Sequence, residues 1–181
     1  QMAKVQIRNT QYAIRGRQHE QHAMPDPKIQ IDHISYQYDD GKPVLRDITL
    51  DVPPNAVTVF FGPAGGGKTT LLRIIATLSR PTAGQVRVGG WLLPEAAVRV
   101  RPHLGLISHQ TLLYGELTAA ENLRFFARVY DLPEPGRRIE EVLDSVGLAD
   151  RQDELVESYS RGMQQRLAIA RALANKPPVI L

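Results

Sequence analysis

The stretch Gly62-Pro63-Ala64-Gly65-Gly66-Gly67-Lys68-Thr69-Thr70 constrains this chain more than any other. It fits the pattern G-x-x-x-x-G-K-[ST], with Gly62, Gly67, Lys68 and Thr69 at the fixed positions. Before it, Ala56 to Phe61 is a short, apolar, β-rich run that reads as a buried strand. After it, Leu71 to Leu78 reads as a helix. Strand, glycine loop and helix form the context that this motif needs. A triphosphate is a dense cluster of negative charge, and consecutive backbone N–H groups can ring it only where no Cβ atoms intrude. The following helix aims its free N–H groups and positive dipole end at the same place. Lys68 can reach the β- and γ-phosphates as a point charge, and the Thr69 hydroxyl is placed to ligate Mg²⁺. A glycine-rich turn with a chance lysine is the competing reading, and the spacing and flanks together disfavour it.

The chain has 181 residues, enough for one sizeable core and roughly one domain. It has no cysteine, which excludes disulfides and thiolate metal sites and weakly favours a reducing compartment. No apolar run approaches the roughly 20 residues that span a bilayer. The net charge of +3 is concentrated at the start. Lys4, Arg8, Arg15, Arg17 and Lys28 face only Glu20 and Asp26, and the remainder is neutral. Charge therefore gives no ground for nucleic-acid binding.

Residues 1–27 are polar, Gln-rich and without a sustained period, and read as disordered or foreign to the domain that follows, residues 28–181. Met24 is the expected natural start, with residues 1–23 arising upstream of it. Ile29 to Ile34 alternates with period two, aromatics Tyr36 and Tyr38 run into a turn at Asp40-Gly41, and Val44 to Val52 returns as a strand. Gln85 to Val88 and Leu104 to His109 read as strands, whereas residues 91–103 fit no pattern well. Thr118-Ala-Ala-Glu121 is a capping box opening a helix in which Leu123, Phe126 and Tyr130 share a face. Pro133 and Pro135 read as breakers; helices are expected over Arg137 to Val146, closed by Gly147, and over Arg161 to Ala174, capped by Ser160. Val179 to Leu181 begins another apolar strand. The pattern is α/β: a core around the phosphate loop, an antiparallel β portion, and an inserted helical portion at about residues 111–160.

Residues 159–174, Tyr-Ser-Arg-Gly-Met-Gln-Gln-Arg-Leu-Ala-Ile-Ala-Arg-Ala-Leu-Ala, resemble the signature motif and following helix of ATP-binding cassette (ABC) ATPases. The family pattern is Leu-Ser-Gly-Gly-Gln, then Gln-Gln-Arg. Ser160, Gly162, Gln164, Gln165 and Arg166 match, whereas Tyr159, Arg161 and Met163 depart from it. A serine-capped helix beside a glycine is a second anion-binding device. Arg161 could turn its guanidinium to phosphate or to solvent. Further matches occur in family order. Tyr38 falls on the aromatic that stacks on adenine, with Tyr36 as its competitor two residues away. Gln110 falls on the glutamine that senses Mg²⁺ and the attacking water. Leu113 to Thr118 and Glu121 to Leu123 resemble the run after that glutamine, and Arg80-Pro-Thr-Ala-Gly84 the turn after the first helix.

The resemblance implies a phosphate-loop NTPase fold that binds ATP and Mg²⁺ through Tyr38, Gly62, Pro63, Ala64, Gly65, Gly66, Gly67, Lys68, Thr69 and Thr70. Ser160, Arg161, Gly162 and Gln164 would meet the nucleotide of a second cassette in a head-to-tail dimer. It implies Lys68 and Gln110 in ATP hydrolysis, Thr69 and Gln110 as metal ligands, and an integral membrane transport subunit as partner at the cytoplasmic face of the inner or plasma membrane. The Ser-Arg-Gly-Met-Gln-Gln-Arg variant resembles export-type cassettes, including haem-exporter subunits. The family's Mg²⁺-binding Asp and general-base Glu follow the strand that begins at Val179. The chain to Leu181 is thus expected to be a fragment, inactive alone. The alternative is a non-transport cassette ATPase acting on ribosomes or DNA. Against it, Lys68 and Ser160 are 92 positions apart with no heptad array between them, and the chain holds one cassette. A small-molecule kinase would lack the signature.

Overall fold

The computed structural model describes the backbone of residues 6–11 and the chain from residue 29 to residue 181. The expected start at Met24 lies outside the described residues, as do residues 1–5 and the remainder of 12–28. The chain divides into two compact units, Gln1–Arg101 and Pro102–Leu181.

In the first unit, β2 (Ile29–Gln37) and β3 (Pro43–Val52) form the expected hairpin. Its turn is closed by the Gly41 N–H on the Tyr38 carbonyl. β5 (Ala83–Val88) and β6 (Trp91–Leu93) extend it into an antiparallel sheet of order β3-β2-β5-β6. Period-two alternation turns Ile29, Ile31, Val86 and Val88 inward, and all four are buried. Helix α1 (Lys68–Ile75) buries Leu71, Ile74 and Ile75, which lie at helical spacing. It stops short of the expected Leu78. Thr77 takes φ 63°, and the amides of Thr77 and Leu78 bond back to Ile74 and Arg73. The unplaced stretch from residue 91 supplies β6 and a single helical turn, α2 (Ala97–Val100).

The strand before the phosphate loop, β4 (Ala56–Phe61), is not the buried strand expected. Val57, Val59 and Phe61 are exposed. Among the described residues β4 pairs only with β1 (Gln6–Gln11), antiparallel, from Gln6 opposite Phe61 to Gln11 opposite Ala56. The three lie at period two on one face of the strand, and that face is left uncovered. Residues 6–11, expected to be disordered or foreign, satisfy the other edge of β4 with backbone hydrogen bonds.

In the second unit, β7 (Leu104–Gly105) and β8 (Val179–Ile180) run parallel, and the Ile107 and Leu181 amides extend the ladder. β7 is shorter than the expected strand to His109. Helices α3 (Ala119–Val129), α4 (Pro135–Ser145) and α5 (Arg161–Ala174) pack around Leu123, Leu143, Leu148, Val156 and Leu167. α5 lies beyond residues 111–160 yet contributes Leu167 and Ala170 to this core. The capping box forms: Thr118 Oγ1 accepts from the Glu121 amide at 3.2 Å, and Glu121 Oε2 accepts from the Thr118 amide at 2.8 Å. Pro135 opens α4 rather than breaking the chain. At the first helical position its missing N–H has no helical partner to lose.

Candidate functional site

The loop after β4 is drawn around its own lysine. Lys68 Nζ donates to the Gly62 carbonyl at 2.9 Å and the Pro63 carbonyl at 2.8 Å. The Gly66 amide donates to Pro63 at 3.2 Å, closing a turn inside the loop. Gly67 caps α1 at φ 81°, and the Leu71 amide donates to its carbonyl. A Cβ on Gly67 would lie 2.6 Å from Leu45 Cδ2 and 3.0 Å from the Val44 carbonyl, so both backbone angle and space require glycine there. Gly65, at φ 77°, has open space around the Cβ position, so only its backbone angle favours glycine.

Residues 65–70 form one side of a cleft of about 300 Å³, and Tyr38 and Val44 form the other. This volume is at the lower end of small-ligand sites. Its chemistry is divided. One part offers backbone N–H groups, the ammonium of Lys68 and the hydroxyl of Thr69; the other offers an aromatic ring and a branched aliphatic. The structure separates the two candidate tyrosines: Tyr38 lines the cleft and Tyr36 does not. The rings meet edge to face, centroids 5.1 Å apart at 88°. The Tyr38 hydroxyl lies 3.2 Å from Thr70 Oγ1. Val44 escaped the reading of the sequence because a valine in a strand carries no signal of a ligand. Among the described residues no group of three His, Asp or Glu side chains is placed to hold a metal ion.

The second unit holds the remaining candidates. Gln110 is exposed in the loop after β7, where its carbonyl accepts from Ser108 Oγ. Ser160 caps α5, accepting from the Met163 amide at 3.3 Å, and Arg161 and Gly162 are exposed in the first turn. Gln164 differs from them. Its amide donates to the carbonyls of Val156 and Tyr159 at 3.3 and 3.4 Å, so it ties the helix to the preceding turn. Tyr159 is buried, and its hydroxyl donates to the Arg151 carbonyl at 2.6 Å. Burial is the main cause that raises its pKa. Asn122, fully buried, binds the loop before α3: its side-chain oxygen accepts from the Tyr114 amide, and its amide donates to the carbonyls of Tyr114, Leu117 and Thr118.

Comparison with known proteins agrees with this geometry. Residues 45–181 match a protein family described as ABC transporter. The lipoprotein-releasing system ATP-binding protein LolD 1 of Rhodospirillum rubrum is 37% identical over 169 residues, which are 87% of this chain and 74% of that protein. The ABC transporter ATP-binding protein NatA of Bacillus subtilis is 37% identical over 159 residues, 84% of this chain and 65% of NatA. The chain thus spans about three quarters of one relative and just under two thirds of the other. Among solved structures, a dimeric, post-hydrolysis ATP-binding cassette, MJ0796, bound to ADP and Pi, superposes with a TM-score of 0.72 at 27% identity, covering 84% of this chain and 72% of that one. A phosphate-loop fold, a cleft built on that loop and the match over residues 45–181 lead to one assignment: the chain belongs to the ABC transporter family, as an ATP-binding cassette.

Proposed function

We propose that the chain binds ATP in the cleft between Tyr38, Val44 and residues 65–70, and that it serves as the ATP-binding subunit of a transporter that exports its substrate. The observation that carries the reading is the divided chemistry of that cleft. The loop amides, the Lys68 ammonium and the start of α1 suit a triphosphate. The Tyr38 ring, with Val44 beside it, suits a flat heterocycle. Thr69 would ligate Mg²⁺, and the ion would neutralise charge on the phosphate oxygens. Gln110 would act as a metal ligand and in hydrolysis. Ser160, Arg161 and Gly162 would meet the nucleotide of a second cassette. These roles rest on the resemblance of the sequence. Export is supported by the Ser-Arg-Gly-Met-Gln-Gln-Arg variant. No helix among the described residues is long and apolar enough to cross a membrane. By the resemblance, the membrane passage would come from an integral partner, with this subunit at its cytoplasmic face.

The test is direct. ATP affinity of the full chain should fall in Lys68→Ala, and the chain should co-purify with an integral membrane protein. Unchanged affinity in a folded variant would refute ATP binding in this cleft. Co-purification with ribosomes or DNA instead would refute the transport role.

A further inference from the structure

The geometry points to Thr70 as a positioning residue for the base of the nucleotide: it acts through the Tyr38 ring and not on the phosphates. This rests on the reading of the cleft as a nucleotide site. Thr70 follows Lys68 and Thr69 in the first turn of α1, where a hydroxyl would ordinarily be assigned to phosphate. Its side chain lines the cleft, but its hydroxyl is engaged by Tyr38. Thr70 is buried at 5% exposure, and its Oγ1 pairs with the Tyr38 hydroxyl at 3.2 Å, across 32 positions of sequence. Tyr38 itself is 49% exposed and lies past the end of β2, where no ladder holds it. An aromatic in that position would sample several orientations, and ordering it on ligand binding would cost affinity. Two contacts hold it beforehand. Thr70 anchors the hydroxyl end, and Tyr36 meets the ring edge to face at 5.1 Å. The wall of the cleft is thus oriented from the helix that carries the phosphate-binding lysine.

The prediction is a separation of base from phosphate. Thr70→Val removes the hydroxyl at nearly constant shape. With the full chain it should weaken ATP about 2- to 10-fold, the size of one neutral hydrogen bond, and leave inorganic tripolyphosphate affinity unchanged. Thr70→Ser should restore ATP affinity. Tyr38→Phe should weaken ATP similarly, and the double variant Tyr38→Phe/Thr70→Val should be no weaker than either single variant. Equal weakening of tripolyphosphate would show that Thr70 touches phosphate, and would overturn the inference. So would additive effects in the double variant, or an ATP affinity indifferent to Thr70→Val. Lys68→Ala separates the two levels of argument. If it abolishes binding of both ligands while the cycle fails, the nucleotide site stands and the role of Thr70 falls. If it changes neither, the site itself is wrong.

Discussion

Lys68 Nζ lies 2.8 Å from the Pro63 carbonyl, across the mouth of the loop that precedes its own helix. The contact spans only five residues, so the lysine organises the loop as well as offering charge. Lys68→Ala should therefore lower ATP affinity by roughly 10- to 150-fold, from the loss of a charge-assisted contact of about 1.5–3 kcal/mol. Titration calorimetry on the folded variant checks this. Thermal unfolding should change little, because the ammonium bonds to two loop carbonyls, those of Gly62 and Pro63.

Gly65 and Gly67, both in the left-handed region of backbone space, should respond unequally to alanine. Gly65→Ala meets only the cost of a left-handed backbone, about 1–2 kcal/mol. Gly67→Ala meets that cost and also drives Cβ to 2.6 Å from Leu45. Gly67→Ala should lower the unfolding midpoint more, and should displace the start of α1 enough to lose nucleotide binding. Equal midpoints for the two variants would contradict the packing described for Val44 and Leu45.

Two arginines in the second unit cap each other's helices. Arg138, on α4, donates to the last carbonyls of α5, Leu173 at 2.7 Å and Ala174 at 2.9 Å. Arg166, on α5, donates to Val146 and Gly147 beyond the end of α4. Each adds a charged donor to carbonyls at a helix end, where intrahelical partners run out. Arg138→Ala should destabilise the chain by about 1–3 kcal/mol in urea unfolding. Arg138→Lys should recover little, because an ammonium cannot reproduce the forked geometry.

His33 and Asp47 face each other across the irregular part of the β2–β3 ladder, both at positive φ. The Asp47 hydrogen bond, chiefly, then the charges of Asp47 and Asp32 raise the His33 pKa above 6.5. A folded-state pKa above the unfolded one means that the pair stabilises most below pH about 6.5, and that this stabilisation is lost as pH rises through the elevated value. Both side chains are exposed, so the effect belongs with surface pairs. Asp47→Asn should lower the urea midpoint at pH 5.5 and leave it unchanged at pH 8.5. An equal drop at both would mean that the aspartate matters for backbone geometry and not for charge.

Features that depend on near neighbours were legible from the residues alone. The phosphate loop, the capping box from Thr118 to Glu121, the Ser160 cap and the hairpin at Gly41 each rest on residues within a few positions, and each appears in the structure. The family was legible for the same reason, since its motifs are short and ordered. The features that stayed hidden involve partners far apart in the chain. Tyr38 rather than Tyr36 faces the cleft, with Val44 beside it, because of how the β2–β3 hairpin sits against the loop. Thr70 turns to a hydroxyl 32 positions away. Arg138 and Arg166 donate to carbonyls at the ends of helices other than their own, which no local pattern marks. β4 reads as buried from its apolar composition, yet its burial depends on which strands lie beside it, and composition carries no record of neighbours. Local hydrogen bonding and backbone sterics are written in adjacent residues. Ring orientation, carbonyl capping and strand order are set by packing across the fold.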